Sequence, residues 1–273
     1  MINLKKNNQI TIDTDRVKNH LVIRNESRSI PTFFLHGFTG ASSSWESIIQ
    51  KLDYYTIAPD ITGHGKSEFL NIESDYGILD WCDDFNYILE SMGLTKINVC
   101  GYSMGGRLGI AFAARYPHKI EKLILESVGL GINDYATKNA RFQDDLRLSD
   151  LIEKDLPGFN RRWEENPLFS EQKNRNKSEF LKQRELRLSH DPLQLSKSLK
   201  VFSQGAMDYY EADFSRFNFP IMIINGSEDS KYIESGEFMG KINRQAVQYV
   251  IDETGHNVHL ESEDAFLGLL EQS

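Results

Sequence analysis

Short apolar runs recur along the chain, and most are separated by stretches whose apolar residues return at helical spacing. "QITIDT" and "HLVIR" open the series as a hairpin. "TFFLHG", "YYTIAPD", "INVCG" and "KLILES" follow, and much later "PIMIING" and "AVQYVID". These later runs are rich in Ile, Val, Phe and Tyr, the pattern of strands buried on both faces of a parallel sheet. Helical spacing is read over Ser43–Leu52, Tyr76–Met92, Ser103–Arg115, Ser230–Ile242 and Ser262–Gln272. Strand and helix in alternation predict a doubly wound, mostly parallel sheet of eight strands flanked by helices.

One segment breaks the alternation. From Gly131 to Phe214 the sequence is charged and helix-like, with no buried strand. It falls between the sixth and seventh strands, so it reads as a helical cap inserted between core segments 1–130 and 215–273. It holds seven of the chain's fourteen arginines, at 141, 147, 161, 162, 175, 184 and 187, in under a third of the length. Solvated helix faces account for most such charges; one or two are expected to face inward.

Composition narrows the class. A chain of 273 residues is long enough for one α/β domain with an insertion. No apolar run approaches the ~18 residues of a membrane helix, and "MINLKKNNQITIDTD" lacks the apolar stretch of a signal peptide. The two cysteines, Cys82 and Cys100, lie in apolar surroundings and match no disulfide or zinc spacing. A reduced cytoplasmic protein without membrane insertion is expected. The net charge of −9 disfavours nucleic acid as a partner.

The chemistry centres on "GYSMGG", Gly101 to Gly106, which follows one apolar run and leads into a helix. Gly-x-Ser-x-Gly in that setting is a nucleophile elbow, in which small neighbours let the turn tighten and leave Ser103 Oγ exposed. A helix-capping serine in a glycine turn would give the same pentapeptide. A serine needs a histidine to take its proton and an acid to orient that histidine. Downstream, "NGSEDSKY" offers Asp229, with Glu228 as the rival acid, and "TGHNVHLE" offers His256. His259 reads as structural, and His20, His118 and His190 as surface or packing residues. "FLHGFTG" matches a loop that supplies an oxyanion donor, so the amides of Phe38 and Met104 are expected to form the hole, with His36 shaping the turn. "GHGKS" ends like a phosphate-binding loop, but the glycine that motif requires is Asp60. No pattern calls for a metal or cofactor.

On "LHGFTGASSSW", "PDITGHGKS", "GYSMGGR", "NGSEDSKY" and "GHNVHLE", the chain resembles the α/β-hydrolase superfamily over essentially its whole length. More narrowly it is similar to the 2-succinyl-6-hydroxy-2,4-cyclohexadiene-1-carboxylate (SHCHC) synthases of menaquinone biosynthesis. Arg107 one turn after the serine carries this narrower likeness, with the order "ARFQDD", "FNRRWEENPLF" and "QRELRLSHDP" in the cap. The resemblance implies a lyase that eliminates pyruvate from a cyclohexene polycarboxylate, with Ser103 as general base. It also implies that Arg107, Arg141, Arg187 and its alternate Arg184 bind carboxylates, while Trp163 and Tyr102 line the pocket. Planar guanidinium suits a carboxylate better than ammonium does. The same three residues would serve a carboxylesterase or a carbon–carbon bond hydrolase, and a non-catalytic receptor on this fold remains a third reading.

Overall fold

The computed structural model describes residues 8–166, 168 and 176–271. The strands are β1 (Asn8–Asp13), β2 (Val17–Arg24), β3 (Thr32–Leu35), β4 (Thr56–Pro59), β5 (Glu68–Phe69), β6 (Ile97–Tyr102), β7 (Ile120–Glu126), β8 (Ile221–Gly226) and β9 (Ala246–Ile251). They form one nine-stranded sheet in the order β1-β2-β4-β3-β6-β7-β8-β9, with β5 paired to β2. The first hairpin is antiparallel, from Asn8 opposite Ile23 to Asp13 opposite Lys18, and β2 runs antiparallel to β4. From β4 to β9 every pairing is parallel. The ninth strand corrects the expected eight: β5 is only two residues long and lies inside the "GHGKSEF" turn, too short to leave a periodic trace.

Helices α1 (Glu46–Lys51), α2 (Ile78–Ser91) and α3 (Met104–Arg115) follow β3, β5 and β6. Every residue of β3 and of β8 is buried, as a strand covered on both faces must be. One face of the sheet carries an apolar layer that includes Phe33, Val99, Leu108, Phe112 and Ile223. The opposite layer includes Phe34, Trp45, Cys100, Ile224 and Phe266.

Between β7 and β8 the described residues contain helices and turns: α4 (Tyr135–Lys154), α5 (Leu156–Glu164), α6 (Lys177–Ser189), α7 (Pro192–Val201) and α8 (Glu211–Phe214). Their boundaries follow local chemistry. Asp134, Asp155, Asn176 and Asp191 each accept a main-chain N–H of the first helical turn, and Pro192 opens α7 where no N–H is needed. A separate apolar cluster of Ile152, Leu156, Phe159, Leu195 and Leu199 holds this segment together, with Phe38 and Trp163 packed against it. Lys197 pins it to the core: its ammonium donates to the carbonyls of Asn71, Ile72 and Ser74 at 2.7–3.0 Å. The chain closes with α9 (Ser230–Ile242), α10 (Val258–Glu261) and α11 (Glu263–Glu271). The last helix expected from spacing, Ser262–Gln272, is found over Glu263–Glu271, and the four-residue α10 before it left no trace in the spacing.

Candidate active site

The loops after β3, β6, β8 and β9 converge beyond the carboxyl ends of the strands, where open α/β sheets build their sites. Ser103 sits between β6 and α3 with φ 50 and ψ −107, a conformation that non-glycine residues rarely adopt. Its side chain makes no helix-capping bond, which removes the capping explanation for this serine. Instead His256 Nε2 lies 3.3 Å from Ser103 Oγ, and His256 Nδ1 lies 2.6 Å from Asp229 Oδ2. With Asp229 Oδ2 as acceptor, His256 donates from Nδ1 and turns Nε2 toward Ser103 Oγ, the position from which it can take the serine's proton. Asp229 and His256 are both buried, whereas the rival Glu228 is exposed.

The glycines around Ser103 are dictated by contact. A Cβ on Gly105 would lie 2.2 Å from the Leu35 carbonyl oxygen, and one on Gly106 would lie 2.3 Å from Val128 Cγ2. The first clash is with main chain and has no inexpensive relief. Gly105→Ala is therefore expected to cost at least about 3 kcal/mol, the upper end of ordinary overpacking, read as a lower midpoint in urea unfolding.

Ser103, His256, Phe38 and Met104 line one cavity of about 680 Å³. Met104 is the first residue of α3, so its N–H belongs to the helix-end amides that have no acceptor within the helix. The cavity also carries Tyr102, Trp163 and Tyr232, together with Arg107, Arg141, Arg147 and Arg162.

A family model for the α/β hydrolase fold matches residues 31–263. The chain belongs to the α/β-hydrolase family. It is 30% identical over 234 residues to a putative SHCHC synthase of Bacillus subtilis, covering 85% of each chain. It is 26% identical over 241 residues to the SHCHC synthase of an Enterobacter species, covering 88% of this chain and 89% of that one. The solved structure of MenH from S. aureus superposes with a TM-score of 0.86 at 26% identity, over 95% of this chain and 97% of the other. The protein is thus an enzyme of the α/β-hydrolase superfamily.

The cationic residues of this α/β hydrolase fall into two groups. Arg107, on α3, donates from Nη1 to the Phe202 carbonyl at 3.0 Å and approaches Met207 Sδ at 3.8 Å. No carboxylate hydrogen-bonds to it among the described residues, and burial draws its pKa down to about 10. Arg141, on α4, bonds Asp145 at 2.9 Å and Gln204 at 3.3 Å at the cavity edge. Arg147 at that edge pairs with Asp144.

Arg184 and Arg187 depart from expectation. Neither lines the cavity that holds Ser103. Arg184 grips Glu164 through Nε at 2.9 Å and Nη2 at 2.5 Å, and Arg187 bonds Glu164 at 2.9 Å and Asn160 at 2.7 Å. Both guanidinium groups join α6 to α5, a partnership across some twenty residues that composition does not disclose, and Arg187 also lines a second, small cavity with Phe38, Tyr102 and Trp163. Arg175 lies outside the described residues. Trp163 stands with its ring 5.4 Å from Phe38 and 5.5 Å from Phe159, on the cavity wall. Tyr102 lies beneath Gly37, where an added Cβ would come 2.7 Å from its ring. Sequence reading missed Tyr232 and Arg162. Tyr232 was the more discoverable, since it lies three residues after Asp229 on α9 and its ring is 4.8 Å from that of His256.

Among the described residues no group of His, Cys, Asp or Glu is placed to hold a metal ion. No helix of the described residues is long and apolar enough to cross a membrane.

Three neutral histidines support the Phe38 loop. His36 Nδ1 donates to the Gly37 carbonyl at 2.8 Å while its Nε2 accepts the Ile61 N–H at 2.8 Å. His64 Nε2 accepts the Thr39 N–H at 3.2 Å, and His190 Nε2 donates to the Thr39 carbonyl at 2.9 Å. His190 Nδ1 in turn accepts the Gly65 N–H at 3.1 Å. Burial lowers the pKa of all three, that of His36 to about 4. Above pH ~6.5 these imidazoles are neutral in both folded and unfolded chains. As pH falls from there toward 4 the unfolded chain binds protons that the folded chain refuses, so stability is lost in that window. His36 alone would contribute about 3 kcal/mol at full extent. Urea midpoints measured at pH 7 and pH 5 should therefore fall with acid, and a flat profile would contradict the neutral assignment.

Proposed function

We propose that this protein is a carbon–oxygen lyase that eliminates pyruvate from 2-succinyl-5-enolpyruvyl-6-hydroxy-3-cyclohexene-1-carboxylate, giving SHCHC for menaquinone biosynthesis. The main support is Arg107: a half-buried guanidinium with no carboxylate hydrogen-bonded to it among the described residues, in the same cavity as Ser103 and His256. Partial desolvation of a cation with no bonded acid is unfavourable, and an anionic ligand in the cavity would supply a partner. A protein of net charge −9 needs such local positive charge to hold a polyanion. The names carried by the relatives support the same substrate class.

In this reading Ser103, polarised by His256 and Asp229, takes a proton from the ring carbon beside the succinyl carbonyl, and the proton passes to His256. The released electron pair forms a new ring double bond, the existing alkene moves one bond along, and the bond from ring carbon to enolpyruvyl oxygen breaks. The enolpyruvate leaves, accepts a proton and ketonises to pyruvate, and the ring becomes a diene. The amides of Phe38 and Met104 would hold the charge that develops on the succinyl oxygen. Arg107 and Arg141 would take substrate carboxylates, with Tyr102 and Trp163 shaping the wall. The segment 131–214 would act as a cap between core parts 1–130 and 215–273, limiting water around the reacting carbon.

Inhibition of turnover by tricarballylate, succinate and trimethyl tricarballylate tests the pocket. The triacid should inhibit best and the neutral ester least, and Arg107→Ala should erase most of that difference. Equal inhibition by acid and ester would oppose the polyanion reading.

A further inference from the structure

Glu126 is the last residue of β7, the strand beside the one that delivers Ser103, and it is fully buried. Its main-chain carbonyl accepts the Ser103 N–H at 2.9 Å. Its carboxylate accepts the main-chain N–H of His259 at 3.0 Å and the Nδ1–H of the same residue at 2.7 Å. His259 lies three residues beyond His256, on α10. Trp45 stacks on the His259 ring at 4.0 Å and closes the pair off. The Tyr102 ring stands between the two imidazoles, 5.4 Å from His256 and 5.1 Å from His259.

One residue thus touches both sides of the Ser103–His256 contact. The loop bearing His256 is already tied to the loop bearing Asp229 by main-chain bonds, Ser227 N–H to Ile251 at 2.8 Å and Glu228 N–H to Thr254 at 3.0 Å. Those bonds fix histidine relative to acid. They do not fix histidine relative to serine. The bonds from His259 to Glu126 supply that second constraint, because they anchor the histidine loop to the strand that also holds the elbow. A buried carboxylate is rarely worth its desolvation for stability alone, and an apolar replacement is often neutral or stabilising. Its presence here calls for a reason beyond packing.

We propose that Glu126 is a positioning residue that sets the Ser103–His256 distance, holding the elbow by its carbonyl and the histidine loop by its carboxylate through His259. The proposal rests on Ser103 and His256 acting as the reactive pair described above. Proton transfer tolerates little error in that distance, and a displacement of about 1 Å costs up to ~100-fold.

The test uses Glu126→Leu, Glu126→Asp and Glu126→Gln in the full-length protein, with folding checked by circular dichroism and urea unfolding. Two rates are read: kcat for pyruvate release, and the rate at which an alkyl fluorophosphonate labels Ser103. In the labelling reaction the Oγ–P bond forms, fluoride leaves and the serine proton goes to His256. Leu removes both acceptors, and Asp draws the loop in by one methylene or drops the contact. Each should lower kcat and labelling rate together by about 10- to 100-fold, with KM within about twofold of wild type. Gln keeps an acceptor of the same reach, and His259 can present its other tautomer, so most of both rates should return. Folded Leu or Asp variants with wild-type kcat and labelling would overturn the proposal; if the Leu variant does not fold, the Asp variant decides alone. If wild type releases no pyruvate but is labelled at Ser103, the substrate reading fails while the labelling comparison still judges Glu126.

Discussion

Ser103→Ala should leave a folded protein with turnover reduced on the order of 10⁴-fold or more. The fold should survive because alanine keeps the Cβ and fits the same tight turn, so the strain at φ 50 is unchanged. The Oγ lost in the variant is bonded to His256 and caps no helix. Its removal should move the urea midpoint by no more than about 1 kcal/mol in free energy. In the proposed reaction its loss removes the atom that would accept the ring proton, and His256 Nε2, 3.3 Å behind it, is too far back to replace it without moving. Near-wild-type pyruvate release by the purified variant would rule out Ser103 as the base.

Arg107→Ala should lower kcat/KM for the polycarboxylate by about 30- to 1,000-fold, equivalent to about 2–4 kcal/mol. The guanidinium is half-buried and donates from Nη1 to the Phe202 carbonyl, with further N–H donors to offer a ligand. Arg107→Lys should recover only part of the loss, because a point charge does not reproduce the planar fork. A neutral ester such as p-nitrophenyl acetate, if hydrolysed, should be almost indifferent to either change. Arg107→Met should fold about as stably as wild type, since it replaces a half-buried cation that bonds no acid among the described residues by an apolar chain of similar length. An equal loss toward neutral ester and polycarboxylate would mean that Arg107 supports the elbow rather than the substrate.

Much of the fold was legible because most parallel strands are short runs dominated by apolar residues, a signature that does not depend on distant partners. The convergence of Ser103, Asp229 and His256 on one site was legible for a related reason: the turns that present them use local chemistry, and glycine at 105 and 106 is required because a Cβ there would come within 2.2 and 2.3 Å of its neighbours. What the sequence hid was pairing. Arg184 and Arg187 carry the same residue type as Arg107, yet they close on Glu164 across the helical segment, while among the described residues Arg107 bonds a carbonyl and a sulfur and no acid. Charge of one sign in a composition says nothing about which cations have already found an acid. Glu126 was hidden in the same way, as the last letter of an apolar strand whose partner lies 133 positions away. The two-residue strand β5 escaped because a pattern needs more than two positions to repeat.

The most direct measurement follows pyruvate release, coupled to lactate dehydrogenase and NADH, alongside the absorbance of the cyclohexadiene product. Wild-type protein and Ser103→Ala are given the enolpyruvyl cyclohexene substrate side by side. Equimolar pyruvate and diene are expected from the wild type and essentially neither from the variant. No pyruvate from a wild type that hydrolyses neutral esters in a Ser103-dependent way would contradict the proposed lyase reaction.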